Sequence, residues 1–127
     1  MMQKLSDAEL EIMKIVWEKP EEVTLFSELM NTLAAKGQPC QKNTLIVLLS
    51  RLVNKGFLKS RKVGRRNEYT AFVSEAEYQT AQTRQFLHKV YEGSAKGLVA
   101  TLIAGEMLTQ EEYEALRALL ERGEARS

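Results

Sequence analysis

Three times in this chain a Ser or Thr stands three positions before a Glu at the head of an amphipathic stretch: Ser6-Asp7-Ala8-Glu9, Ser74-Glu75-Ala76-Glu77 and Thr109-Gln110-Glu111-Glu112. Such a pair forms a capping box. The hydroxyl accepts from the backbone N–H of the Glu and the carboxylate accepts from the N–H of the Ser or Thr, which satisfies two donors that a helix start leaves unpaired. Leu5 with Leu10, and Leu108 with Tyr113, occupy the positions of a hydrophobic staple around the first and third boxes. Three helix starts are thereby set before any other feature is weighed.

The first helix spans 7–18, carries Leu10, Met13, Val16 and Trp17 at helical spacing, and ends before Pro20. Thr24 is the expected N-cap of a second helix over 25–36, with Leu25, Leu29, Leu33 and Ala34 on one face and Gly37 just past its end. After Gln38-Pro39-Cys40 a third helix runs over 41–54 and stops at Lys55-Gly56. The period then changes from helical to alternating. Phe57–Val63 and Glu68–Val73, rich in aromatic and β-branched residues, flank Gly64-Arg65-Arg66-Asn67 and predict a β-hairpin. The second box opens a helix to Tyr91, Gly93-Ser94 breaks it, a short apolar helix runs from Ala95 to Ala104, and the third box opens a helix ending near Gly123. The fold class is mainly α with a small β-hairpin: a winged helix-turn-helix over 1–73, followed by a C-terminal three-helix region over 74–127.

Composition closes several alternatives. The chain has 127 residues, 44% of them hydrophobic and 28% charged, which suits one globular domain or two small ones sharing a core. No apolar run approaches eighteen residues, so no membrane span or membrane insertion is expected. The N-terminus turns polar at once and shows no signal-peptide pattern, so a cytoplasmic protein is expected. Cys40 is the only cysteine and His88 the only histidine. No intrachain disulfide can form, and no metal-ligand spacing, nucleophile elbow or glycine-rich phosphate loop accompanies them, so no cofactor, metal site or catalytic residue is assigned. A hydrolase built on His88 remains the enzymatic alternative.

Net charge is +1, but it is unevenly spread. Residues 1–73 hold twelve Lys and Arg against eight Asp and Glu, and residues 74–127 hold six against nine. Between Lys42 and Arg66 there are eight cations (Lys42, Arg51, Lys55, Lys59, Arg61, Lys62, Arg65 and Arg66) and no acid. An anionic polymer selects for that kind of imbalance. On the third helix Leu45, Leu48, Leu49 and Leu52 form a narrow core face. Asn43, Ile46, Val47 and Ser50 share the opposite one, where a merely solvated helix would carry Glu and Lys. In a major groove Asn43 can pair with adenine, and Ile46 or Val47 can touch a thymine methyl, while cations on the hairpin hold phosphates. Two competing readings are a solvated edge strand guarded by Lys and Arg, and a winged helix that binds protein through Ile46 and Val47.

The C-terminal segment carries more apolar groups than so short a stretch can enclose by itself. Tyr78, Phe86, Leu87, Val90, Tyr91, Leu98, Val99, Leu102, Tyr113, Leu116 and Leu120 are therefore expected in a homodimer interface. A two-fold dimer would set two winged helices a fixed distance apart. The alternative is a monomer in which these residues pack on the first three helices. Cys40 reads as a small buried connector residue, with an oxidation-sensing thiol at the start of the third helix as the alternative, His88 as a core or interface histidine, and the acids at 111, 112 and 114 as complements to a helix dipole.

Leu5-Ser6-Asp7-Ala8-Glu9-Leu10-Glu11-Ile12-Met13 with Trp17, Asn43-Thr44-Leu45, Leu48-Leu49-Ser50-Arg51-Leu52, Lys55-Gly56-Phe57-Leu58 and Phe86-Leu87-His88-Lys89-Val90-Tyr91-Glu92-Gly93-Ser94 together resemble the penicillinase (β-lactamase) repressor family. The similarity is collinear from about Leu5 to Gly123. The resemblance implies a homodimeric repressor of double-stranded DNA operators with TACA and TGTA half-site cores, in which Asn43, Thr44, Ile46 and Val47 face the DNA. In antibiotic-responsive members it also implies derepression through cleavage by a membrane-bound, signal-activated metalloprotease. The chain departs from the family at two places. Ile46 stands where an Arg is common, and Thr101-Leu102 stands where the cleaved bond is Asn-Phe. A copper-responsive branch carries C-terminal Cys-x-Cys motifs that this chain lacks.

Overall fold

The computed structural model describes residues 2–123. The elements run α1 (Asp7–Glu18), β1 (Thr24–Leu25), α2 (Phe26–Ala35), α3 (Lys42–Asn54), β2 (Leu58–Val63), β3 (Arg66–Ala71), α4 (Glu75–Tyr91), α5 (Ala95–Ala104) and α6 (Gln110–Arg122). All three capping boxes form. Ser6 N–H donates to Glu9 Oε1 at 2.9 Å while Glu9 N–H donates to Ser6 Oγ at 3.2 Å. The same reciprocal pairs join Ser74 with Glu77 and Thr109 with Glu112.

The start of α2 departs from expectation. Thr24 is not its N-cap; with Leu25 it forms a two-residue strand, paired antiparallel to β3 through Thr24↔Tyr69 and Leu25↔Glu68. This short strand covers what would otherwise be an open edge of the hairpin. The capping role passes to Glu28, whose carboxylate accepts from Leu25 N–H at 2.8 Å. The hairpin is also tighter than the sequence suggests, since Arg66 and Asn67 belong to β3 and the turn is Gly64-Arg65 alone. Gly64 has φ +64° and Arg65 is not among the positive-φ residues, the pattern of a type II′ turn. The sheet order is β1-β3-β2, all antiparallel.

Helix α3 ends in a Schellman closure. Gly56, at φ +85°, donates to Val53 O, and Phe57 N–H reaches back to Leu52 O at 2.9 Å. The closure drives Phe57 into the core beside Leu52, and the chain enters β2 from there. The core of this unit is built from Ile12, Met13 and Val16 of α1, Leu29 and Leu33 of α2, Leu45, Leu49 and Leu52 of α3, with Phe57, Leu58 and Tyr69. The buried face of α1 is wider than its 3–4 spacing implied: Ile12 and Ile15 are buried and Leu10 only half-buried.

The compact first unit reaches Gln82, past the expected boundary at Val73, and a second unit begins at Thr83. The extension has a physical cause in Tyr78. Expected in a dimer interface, it is instead buried in the first unit, its ring 5.8 Å from Trp17 and 5.6 Å, edge-on, from Phe57. Its hydroxyl accepts from Leu5 N–H at 2.9 Å, and Trp17 Nε1–H donates to Val73 O at 2.9 Å. These contacts fasten the first turns of α4 to α1. Within the second unit no residue of α5 or α6 is buried. Phe86 meets Tyr91 edge-on at 5.8 Å.

One buried charge joins α1 to α3. The Glu9 side chain is 1% exposed and accepts from Lys55 Nζ at 2.7 Å. Lys55, expected among the DNA-binding cations, is therefore an internal partner at the end of α3. Burial pushes the Glu9 carboxyl up, but hydrogen bonds from Lys55 and Ser6 outweigh it and hold the carboxyl below its ordinary value. Because the folded-state value lies below the unfolded one, Glu9 contributes stability that is complete above the unfolded-state value and drains away as pH falls through the folded-state value. Glu9→Gln is expected to cost about 2 kcal/mol at neutral pH. It should also lower the urea midpoint less steeply than the wild type between neutral pH and pH 3; parallel pH profiles would show that Glu9 is not the group titrating.

Candidate nucleic-acid interface

Helix α3 divides its faces as its leucine spacing requires. Leu45, Leu48, Leu49 and Leu52 are buried, and Asn43, Ile46, Val47 and Ser50 are all exposed. Ile46 and Val47 keep 47% and 48% of their surface in solvent. Lys42 and Arg51, at the two ends of the helix, are exposed as well.

The hairpin meets the start of α3 in an open cleft. Its walls are Leu25, Phe26 and Ser27 at the start of α2, Lys42 and Ile46 of α3, and Arg65, Arg66 and Asn67 at the hairpin tip, with buried Tyr69 behind them. A second, shallower depression lies between α3 and the base of the hairpin, bordered by Ile46, Leu49, Ser50, Val53, Asn54, Ser60 and Tyr69. Ile46 therefore stands on the ridge between the two. Thr44 lies elsewhere, in a depression shared with Asp7, Glu11, Lys14 and Cys40.

The cations of the hairpin fall on two faces. Alternation along β2 places Ser60 and Lys62 on the side of Leu58 and Tyr69, which faces the helices, and Lys59 and Arg61 on the other. On that outer side Lys59 Nζ sits 4.7 Å over the Phe72 ring, and Arg61 lies opposite Glu68 in the ladder. Arg66 Nη2 is 3.9 Å from Glu68. The run that reads as eight equivalent charges is thus sorted. Lys42 and Arg65 converge on the cleft, which Arg66 also borders while its guanidinium lies beside Glu68; Lys62 lies on the helix side, Lys59 and Arg61 on the outer side, where Lys59 rests on Phe72, and Lys55 is held by Glu9.

Sequence reading missed the contribution of β1 and the start of α2. Val23-Thr24-Leu25, a β-branched run before a helix, was the available signal. Of the residues expected at a dimer interface, Phe86, Val90, Tyr113 and Leu120 are exposed, while Leu87, Tyr91, Leu98, Val99, Leu102 and Leu116 are half-buried. Thr101 is exposed, donates to Gly97 O at 3.1 Å, and lies with Leu102 inside α5. His88 is exposed on α4.

A family model described as penicillinase repressor matches residues 5–122. The chain belongs to the penicillinase repressor family. It is 32% identical over 118 residues to the penicillinase repressor of Bacillus licheniformis, covering 93% of this chain and 90% of that one. It is 29% identical over 119 residues to the methicillin resistance regulatory protein MecI of Staphylococcus aureus, covering 94% of each. Among solved structures, the DNA-binding domain of the repressor BlaI superimposes with a TM-score of 0.53 at 32% identity, covering 61% of this chain and 92% of that domain. The winged-helix fold of the first unit is thereby that of the family.

The two faces of the wing differ in available charge, and a polyanion reports this directly. On immobilised heparin, Lys62→Ala and Arg65→Ala should each elute at clearly lower salt than Lys59→Ala, whose ammonium already rests on Phe72. Equal shifts for all three would show that the outer face is as accessible to anions as the inner one.

Proposed function

We propose that two copies of this chain bind one palindromic operator, each placing α3 in a major groove while the wing tip holds the phosphate backbone alongside. The protein is a DNA-binding transcriptional repressor of the penicillinase repressor family. The observation that carries the proposed geometry is the cleft where Lys42 and Ile46 of α3 meet Arg65, Arg66 and Asn67. The helix that would read bases and the loop that would grip phosphates open onto one cleft with no acid in its lining, Glu68 lying beside Arg66. Asn43, Ile46, Val47 and Ser50 would face base edges, with Thr44 and Arg51 at the margins, and Lys42, Lys62, Arg65 and Arg66 would neutralise phosphates. Lys59 and Arg61 would contribute from the outer side.

The homodimer is supported by the second unit. Phe86, Val90, Ile103, Met107, Tyr113, Leu119 and Leu120 are exposed there, more apolar surface than an isolated helical segment leaves in water. A second copy would cover it with the same residues under two-fold symmetry. In this reading the winged helix binds DNA and the helices that follow dimerise, with Tyr78 assigned to the former by its packing. Relief of repression by a membrane-bound metalloprotease cutting at or near Thr101-Leu102 belongs to the same reading as what the family resemblance implies, the relatives including a penicillinase repressor and a methicillin resistance regulatory protein. That bond lies within α5, so a protease would have to unwind the helix around it. No helix among the described residues is long and apolar enough to cross a membrane.

Selection of bound duplexes from a random library, followed by affinity against salt, tests the proposal. The expected winner is a two-fold symmetric site, with log affinity falling against log salt by about 0.9 per phosphate neutralised. Leu120→Asp should shift the protein to monomers in sedimentation and weaken operator binding at least tenfold. Absence of any enriched duplex would overturn the operator reading, and an asymmetric winner bound by monomers would overturn the dimer.

A further inference from the structure

We infer that Ile46, with Val47 beside it, selects a pyrimidine bearing a 5-methyl group in the major groove. The inference rests on the repressor reading above and adds which chemical group that helix demands.

Ile46 holds an unusual place for an isoleucine. Nearly half of it is exposed, it borders both depressions that flank α3 on the hairpin side, and its neighbours in the larger one include Lys42, Arg65 and Arg66. Val47 continues the apolar surface along the helix with the same exposure. A branched hydrocarbon side chain in this setting is not explained by the core, which the four leucines of α3 already fill. Nor is it explained by phosphate binding, since it carries neither charge nor donor. Base pairs present hydrogen-bonding groups across the major groove and one kind of apolar group, the methyl on pyrimidine C5. With cations around it holding phosphates, Ile46 is carried to base-edge depth with nothing else to bind.

The polar neighbours restrict the context further. Asn43 lies one turn earlier on the same face, where its amide is suited to the N6 and N7 of an adenine. Without the methyl, the apolar surface of Ile46 would be set against a polar groove edge and the pair of contacts would lose its apolar half.

The test uses the full-length protein and the duplex it selects. Each thymine is replaced in turn by deoxyuridine, which keeps every hydrogen-bonding group of the pair and removes only the methyl. At one thymine in each half-site the substitution should weaken binding about three- to tenfold, the effect of one buried methyl group, with less than twofold change elsewhere. In Ile46→Ala the two duplexes should bind alike, and in Val47→Ala the difference should shrink. Both variants should keep the wild-type urea midpoint because both side chains are exposed. Replacing that thymine pair by cytosine, with and without a C5 methyl, identifies the source: a gain on methylation extends the reading to methylated cytosine, and no gain assigns it to thymine alone. Deoxyuridine tolerated within twofold at every position, with steep salt-dependent binding intact, would overturn this inference and leave the repressor reading standing. Failure to bind any duplex would remove both.

Discussion

The first unit is organised around a carboxylate placed where carboxylates seldom go. Glu9 is buried, yet it makes two attachments at once: it closes the start of α1 through Ser6 and holds the ammonium of Lys55 at the end of α3. A buried ion is tolerable only when its partners are in place, so the helix start, the helix end and the packing between them form together or not at all. The register of α3 against α1 follows, and with it the outward direction of Asn43, Ile46, Val47 and Ser50.

Much of this architecture could be read from the chain because its signals are local. Capping boxes state where helices begin within four residues, and the leucine spacing of α3 separates a core face from an outer one without reference to anything else. The misread residues are those whose partners are distant in sequence. Lys55 meets a carboxylate 46 residues away, and Tyr78 meets a backbone amide 73 residues away. Nothing near either residue distinguishes it from an exposed cation or an interface aromatic. The strand Thr24–Leu25 escaped for a similar reason: two residues have no period, and their strand character exists only through Tyr69 and Glu68 across the ladder.

The candidate site was legible in composition and illegible in geometry. An acid-free run of cations announces an anionic partner, but only the fold shows that Lys42 and Arg65, far apart in the chain, share one cleft, or that Phe72 and Glu68 attend the opposite side of the hairpin. Tyr78 likewise places the opening of α4 within the winged-helix unit, so that this helix starts from a packed core.

The hairpin closes with a turn of only two residues, so the side of the sheet on which each cation lies is a matter of odd or even position. A single inserted or deleted residue in β2 would exchange Lys62 for its neighbours on the helix side, leaving sequence content and net charge almost untouched while reversing the wing's polarity. Change in this segment is therefore tolerable in steps of two, and the length of the wing is constrained by parity as much as by its chemistry.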